Sequence, residues 1–224
     1  FSQKKERGEL PANAAAVSSI VSTDMAKAIC KTYGATHIEV LTGFKFIAEQ
    51  IQLFQDTGKH TFMFGFEESY GFLSGTHARD KDAIVATMAL CEAAAYYKSQ
   101  GKTLWDAMID MYEKYGYYKE GLETMTLKGM DGAAQIQSMM TKMRNNPPRE
   151  LAGLMVLAVR DYGEDVLTDF VKGETKPTGL PKSNVVYYDL EGGSWLCVRP
   201  SGTEPKIKFY FGVVGKDIEE AKEL

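Results

Sequence analysis

The sequence predicts an α/β layer structure in its first half and an α+β domain with an antiparallel sheet in its second. Two observations carry this. Up to about Gly116, strand-like runs alternate with runs of helical period. Beyond it, short strand-like runs follow one another, separated by turn residues. The boundary gives domains 1–116 and 117–224.

Residues 1 to 16 are polar and then alanine-rich, with Pro11 as a breaker, and read as a helix tail and linker. Val17 to Val21 is a strand candidate. Thr23 or Asp24 caps a helix over Met25 to Tyr33, and Gly34 stops it. "HIEVLTGFKFIAEQ" gives a short strand, a turn at Thr42-Gly43 and a helix from Phe44. Thr61 to Phe64 is strand-like and breaks at Gly65. Asp80 or Asp82 opens a helix in which Ile84, Val85, Met88 and Cys91 share a face, and Gly101 ends it. Thr103 with Asp106 forms a capping box for the next helix, closed by Gly116. The second half reads as a strand over 117–127, a helix from Met130 closed by Pro147-Pro148, and a strand over 153–161. A long polar loop over 162–184, strands near 185–190, 194–199 and 206–214, and a last helix follow.

The composition is that of a globular protein, 44% hydrophobic and 25% charged, with a net charge of -4. An acidic balance disfavours a broad nucleic-acid face but leaves room for a small anion site. Cys30, Cys91 and Cys197 are far apart and odd in number, and the longest apolar runs fall short of a membrane span. The expectation is a reduced, cytoplasmic protein with neither a nucleic-acid nor a membrane partner. The chain starts at Phe1 and stops in "DIEEAKEL", a helix still in progress, so it reads as a fragment of a longer protein.

Three stretches can carry chemistry. "RPSGTEPK", between two strands, offers the guanidinium of Arg199, the hydroxyls of Ser201 and Thr203, Gly202 for close backbone approach, and Lys206. These suit a phosphate, with each charge-assisted hydrogen bond worth roughly 1.5–3 kcal/mol. The alternative is a hairpin loop that satisfies only itself. "GFEESYGFLSGTHARDKD" leaves a strand and ends at a helix start, where α/β sheets place ligand sites. Glu67, Glu68 and Ser69 can accept sugar hydroxyls there, and His77, Arg79 and Lys81 supply cations. Glu68 as a structural acceptor, Asp80 and Asp82 as caps and His77 as a loop residue are the plainer readings. "LTGFK" places Thr42, Gly43 and Lys45 at a helix entry. "GKT" at 101–103 has Tyr96 where a phosphate-binding P-loop needs glycine, and His37, His60 and His77 lack zinc spacing.

Four segments in order resemble the α-D-phosphohexomutase superfamily, within it the phosphoglucomutase/phosphomannomutase enzymes: "LTGFKFI", "GFEESYG", "HARDKD" and "RPSGTEPKIKFY". The resemblance covers nearly the whole chain and implies the third and fourth of the family's four domains, the fourth incomplete. It implies a three-layer α/β domain with a mixed sheet, then an antiparallel sheet with helices on one face. Glu67 and Ser69 match sugar-hydroxyl ligands. Thr42, Gly43 and Lys81 match residues of the same cleft, and Arg199, Ser201, Gly202 and Thr203 match the grip on the phosphate not being transferred. Lys45, His77, Arg79 and Lys206 are auxiliary candidates.

The family's phosphoserine loop and its DxDxDR-like magnesium loop have no counterpart here. The resemblance therefore implies a chain that contributes sugar and phosphate binding but neither the catalytic serine nor a metal site, and that is inactive alone. The whole enzyme would interconvert hexose 1-phosphate and hexose 6-phosphate through glucose 1,6-bisphosphate. It would use Mg2+ held in a missing domain, have the missing N-terminal domains as partners, and prefer glucose. The alternative is a free-standing phosphosugar-binding module.

Overall fold

The computed structural model describes residues 1–127, 131–202 and 204–224. It separates into two compact units, Phe1–Tyr117 and Tyr118–Leu224.

The first unit runs α1 (Ser2–Glu6), β1 (Ala14–Ser19), α2 (Met25–Tyr33), β2 (Thr36–Val40), α3 (Phe44–Thr57), β3 (Thr61–Phe66), β4 (Phe72–Ser74), α4 (Ala83–Ser99) and α5 (Leu104–Tyr115). Its sheet has the order β2-β1-β3-β4. β1 is parallel to β2 and β3, and β4 is antiparallel to β3, so the sheet is mixed. All six residues of β1 are buried. This corrects the expected strand over Val17 to Val21: the alanines at 14–16 belong to the strand. Alanine is a weak strand former, but a central strand covered on both faces takes small apolar residues without alternation. α3 buries Phe44, Ile47, Ile51 and Phe54, one stripe at helical spacing, against Ala15, Val17, Phe62 and Leu73. Gly65 lets α3 come close, because a Cβ there would lie 2.6 Å from Ile47 Cγ2. α4 is different. None of its residues is buried, and Ile84 and Met88 are 74% and 66% exposed.

The second unit runs β5 (Tyr117–Thr126, its first residue counted with the first unit), α6 (Gly132–Asn145), β6 (Glu150–Leu151), β7 (Leu154–Asp161), β8 (Val166–Asp169), β9 (Glu174–Lys176), β10 (Val186–Leu190), β11 (Trp195–Pro200), β12 (Lys206–Gly215) and α7 (Ile218–Glu223). Met130, the expected start of the α6 helix, lies outside the described residues. The sheet order is β5-β12-β11-β10-β7-β8-β9, with β6 on β7. The pairs from β12 through β11, β10, β7 and β8 to β9 are antiparallel. Ile136 and Met140 of α6 pack on Val156, Val186, Tyr188, Val198 and Ile207. On the opposite face Tyr187 stacks on Trp195 at 5.5 Å, and the Arg160 guanidinium lies 4.6 Å from the Tyr187 ring while pairing with Asp189.

The expected loop over 162–184 is corrected: it contains β8 and β9. The turn between them is held by Asp169, whose Oδ1 accepts from the N–H groups of Val171 and Lys172. β9 is an exposed edge strand of Glu174, Thr175 and Lys176. An edge needs no buried face, so the alternation that marks a strand is missing from its sequence.

Candidate functional site

"GFEESYG" is a hairpin turn. β3 ends at Phe66, β4 begins at Phe72, and Phe66 pairs with Phe72. Between β3 and α4 the chain therefore doubles back along β3 as β4, a short strand that the sequence reading does not contain. The turn places Tyr70 at φ 57 and Gly71 at φ 134, and Tyr70 is fully exposed. A tyrosine in the left-handed region is strained by roughly 1–3 kcal/mol, and such strain collects in ligand loops.

The turn brings Glu67 onto residues from two other stretches. Gly43 is the N-cap of α3, at φ 121. Its backbone N–H donates to Glu67 Oε1 at 2.7 Å. Lys81 Nζ donates to Glu67 Oε2 at 2.9 Å and to the Ser69 carbonyl at 3.4 Å. The Glu67 side chain is only 9% exposed and Lys81's is 30%. Each carboxylate oxygen has two lone pairs, so the carboxylate, held at both oxygens and charge-balanced by Lys81, keeps acceptor capacity. That arrangement suits incoming hydroxyl groups. The structure thus joins Gly43, Glu67, Ser69 and Lys81 in one cluster. Thr42 precedes Gly43 in the chain and is half-buried.

Among the auxiliary candidates, His77 Nε2 is 2.8 Å from Asp82 Oδ2. Asp82 caps α4 by accepting from the N–H groups of Ile84 and Val85. His77 and these N–H groups hold the Asp82 carboxyl below its ordinary pKa. Arg79 donates to the carbonyls of Thr76 and Ala78 and to Gln55 Oε1. Lys45 Nζ lies 4.7 Å from the Phe46 ring centroid. These three are thus engaged with local structure and not with the Glu67 carboxylate.

In the second unit "RPSGTEPK" closes the β11–β12 hairpin, with Ser201 N–H donating to the Lys206 carbonyl at 2.8 Å. Thr203 lies outside the described residues. Ser201 and Gly202 line a cleft of about 400 Å³ together with Glu204, Pro205 and the α6 residues Ala133 and Gln137. A Cβ at Gly202 would meet nothing within 4 Å, so packing among the described residues does not require glycine there. Arg199 sits directly opposite Lys208 in the hairpin register. Like charges in that relation repel, and they raise the local positive potential. Lys206 Nζ is 3.0 Å from Glu204 Oε2. Lys208 is not legible from the sequence as a neighbour of Arg199, because only the register, not the spacing, sets it there.

Ser19 and Ser22 also escape the sequence reading. Ser19 Oγ donates to Glu68 Oε2 at 3.0 Å, and Ser22 Oγ is 2.9 Å from Ser19 Oγ. No short motif marks them, and Ser19 lies 49 positions before the glutamate it touches. Among the described residues no group of three or more His, Cys, Asp or Glu side chains could hold a metal ion, and no helix is long and apolar enough to cross a membrane.

Comparison with known proteins bears on both units. The family described as "Phosphoglucomutase/phosphomannomutase, alpha/beta/alpha domain III" matches residues 1–115, and its "C-terminal domain" matches 142–224. A phosphoglucomutase of Staphylococcus aureus strain bovine RF122 / ET3-1 is 42% identical over 194 residues, 87% of this chain and 35% of its own length. That of strain MRSA252 is 40% identical over 204 residues, 91% of this chain and 36% of its own. The chain therefore spans about a third of the length of these curated relatives. Among solved structures, the open form of Paramecium parafusin superposes with a TM-score of 0.65 over 93% of this chain and 36% of its own, at 18% identity. A phosphomannomutase-like protein of Thermus thermophilus gives 0.57 over 99% of this chain and 37% of its own, at 19% identity. The mixed sheet with its helices and the antiparallel sheet that follows are thus the third and fourth domains of a known architecture, and the chain belongs to the phosphoglucomutase/phosphomannomutase family.

Proposed function

We propose that this chain is the substrate-recognition part of a hexose phosphate mutase that exchanges hexose 1-phosphate and hexose 6-phosphate, with glucose preferred. Glu67 and Ser69 accept the sugar hydroxyls. Thr42, Gly43 and Lys81 complete that half-site, with Lys81 balancing the charge of Glu67 as sugar displaces water. Arg199, Ser201, Gly202 and Thr203 grip the phosphate that is not transferred, helped by Lys206 and Lys208.

One observation carries the reading: a carboxylate fixed at both oxygens by Gly43 N–H and Lys81 Nζ, yet still able to accept. Preorganised acceptors of this kind orient a polyol at little entropic cost. Phosphoryl transfer itself needs a donor and charge stabilisation by a metal. In this reading the phosphoserine, the Mg2+ site and the handling of glucose 1,6-bisphosphate fall to parts of the protein outside this chain, because neither a phosphoserine loop nor a DxDxDR-like loop occurs in its sequence. The chain alone is therefore expected to be inactive. The preference for glucose rests on the "EESYG" turn and on relatives named phosphoglucomutase.

The test is an NMR titration of the chain with glucose 1-phosphate beside its Arg199→Ala variant. Shifts at 67–69 and 199–202, with the latter group lost in the variant, are expected at millimolar ligand. The decisive companion is the full-length protein, in which Glu67→Gln must impair conversion of glucose 1-phosphate. Unchanged turnover in that variant would end the reading.

A further inference from the structure

Glu67 and Glu68 are adjacent but tied to different anchors. Glu67 is held by the start of α3 and by Lys81. Glu68 is held by the far end of β1. Ser19, the last residue of β1, is 1% exposed, and Ser22 is 3% exposed. Buried hydroxyls are costly unless bonded. Here the Ser19 hydroxyl donates to Glu68 Oε2 at 3.0 Å, and the Ser22 hydroxyl lies 2.9 Å from Ser19 Oγ. On the other side of the carboxylate, Ser69 Oγ donates to Glu68 Oε1 at 3.2 Å.

We infer that Glu68 is a positioning residue of the hydroxyl-recognition loop: the buried serines at the end of β1 hold its carboxylate, and it holds the Ser69 hydroxyl. The inference rests on the reading of Ser69 as a sugar ligand. Its chemistry follows from proton counting. Ser19 has one proton and gives it to Glu68, so Ser22 gives its own to Ser19. The chain of donors is polarised toward the carboxylate, which strengthens each bond. Ser69 also has one proton, and Glu68 takes it. Toward substrate Ser69 then offers lone pairs only. The loop therefore faces ligand with two acceptors, Ser69 Oγ and the Glu67 carboxylate, and selects groups that donate, which sugar hydroxyls do. Without Glu68 the Ser69 hydroxyl is free to rotate and to point its proton at the sugar. β1 is the buried central strand of the sheet, so the anchor is rigid while Tyr70 and Gly71 bend the turn.

The test is a double-mutant cycle in the full-length protein, with kcat and KM for glucose 1-phosphate measured for wild type, Ser19→Ala, Ser69→Ala and the double variant. Loss of one hydrogen bond to substrate predicts that Ser69→Ala raises KM roughly tenfold. Ser19→Ala should raise KM about three- to tenfold, and less than about twofold more in the Ser69→Ala background. Equal effects in both backgrounds would mean that Ser19 acts on stability alone and would overturn the inference. Should Ser19→Ala fail to fold, the exposed Glu68→Gln replaces it in the cycle: its amide keeps an acceptor for Ser19 but sets a donor against Ser69. Elevated KM in Ser69→Ala with unchanged KM in Ser19→Ala or Glu68→Gln overturns the positioning role only. Unchanged KM in Ser69→Ala overturns the reading of the loop itself.

Discussion

His37 makes the stability of the first unit depend on pH. It lies on β2, where its Nε2 is 2.9 Å from the Oγ of Ser18 on β1. Burial lowers its pKa from 6.5 to about 4; Lys27 pushes the same way and Glu39 opposes both. Folding thus keeps the imidazole neutral, while the unfolded chain takes a proton below pH 6.5. The unfolded state binds more protons between pH 6.5 and 4, so stability rises with pH across that window and is lost as pH falls through it. A pKa of about 4 in the fold against 6.5 in the unfolded chain corresponds to about 3 kcal/mol below about pH 4, and to about 2 kcal/mol between about pH 7.5 and about pH 5. The assay is urea unfolding at both pH values for wild type and His37→Gln, whose amide nitrogen reaches Ser18 without titrating. The variant should lose that much less stability on acidification. NMR titration of the ring proton reads the pKa directly. A midpoint near the ordinary histidine value, or the same pH dependence in both proteins, refutes the argument.

Four other outcomes are expected. Glu67→Gln removes the ion pair with Lys81 and the charge that the Gly43 N–H meets, and should raise KM for hexose phosphate in the full-length protein by roughly 10- to 100-fold, the equivalent of one charge-assisted bond. Arg199→Ala should weaken inorganic phosphate binding to the chain by a similar factor, with less salt dependence, as read by NMR shifts. Gly212→Ala would put a Cβ 2.4 Å from Trp195 Nε1 and should cost about 1–3 kcal/mol by overpacking, seen as a lower unfolding midpoint. Of the three thiols only Cys91 is exposed, so in the native chain one cysteine should react rapidly with a disulfide reagent while Cys30 and Cys197 wait for unfolding.

Legibility in the sequence follows burial. α3 and α6 bury one face each, and their stripes of Phe44, Ile47, Ile51 and Ile136, Met140 announce them. The Thr103–Asp106 box and the Asp82 cap are local devices and are visible as such. β1 is misplaced by pattern because a strand covered on both faces has no alternation, and β9 escapes because a strand exposed on both faces has none either. Only half-buried strands carry the period-two signal.

The candidate sites of the two units divide along the same line. Their local parts, the "EES" turn of the first and the "RPSGTEPK" turn of the second, are contiguous and readable as chemistry. Their support is not contiguous. Gly43 reaches Glu67 across 24 positions and Ser19 reaches Glu68 across 49. Lys208 meets Arg199 only through hairpin register. A turn without support from the rest of the fold makes a poor acceptor array. Rigidity comes from the buried end of β1, where Ser19 and Ser22 are buried and losing their bonds leaves a buried hydroxyl unsatisfied, and from the N-terminus of α3, where the Gly43 N–H holds Glu67. Substitutions at Ser19 or Gly43 should therefore affect ligand affinity more than their distance along the chain from "EES" suggests. Tyr70, in the same turn, is fully exposed and carries backbone strain. Tyr70→Gly relieves that strain but frees the unfolded chain, so it should stabilise the fold by at most about 2 kcal/mol while leaving the Glu67 cluster intact. Urea unfolding measures the first effect and KM for hexose phosphate the second. A clear loss of stability, or a raised KM, would mean that the exposed ring has a role in holding the turn.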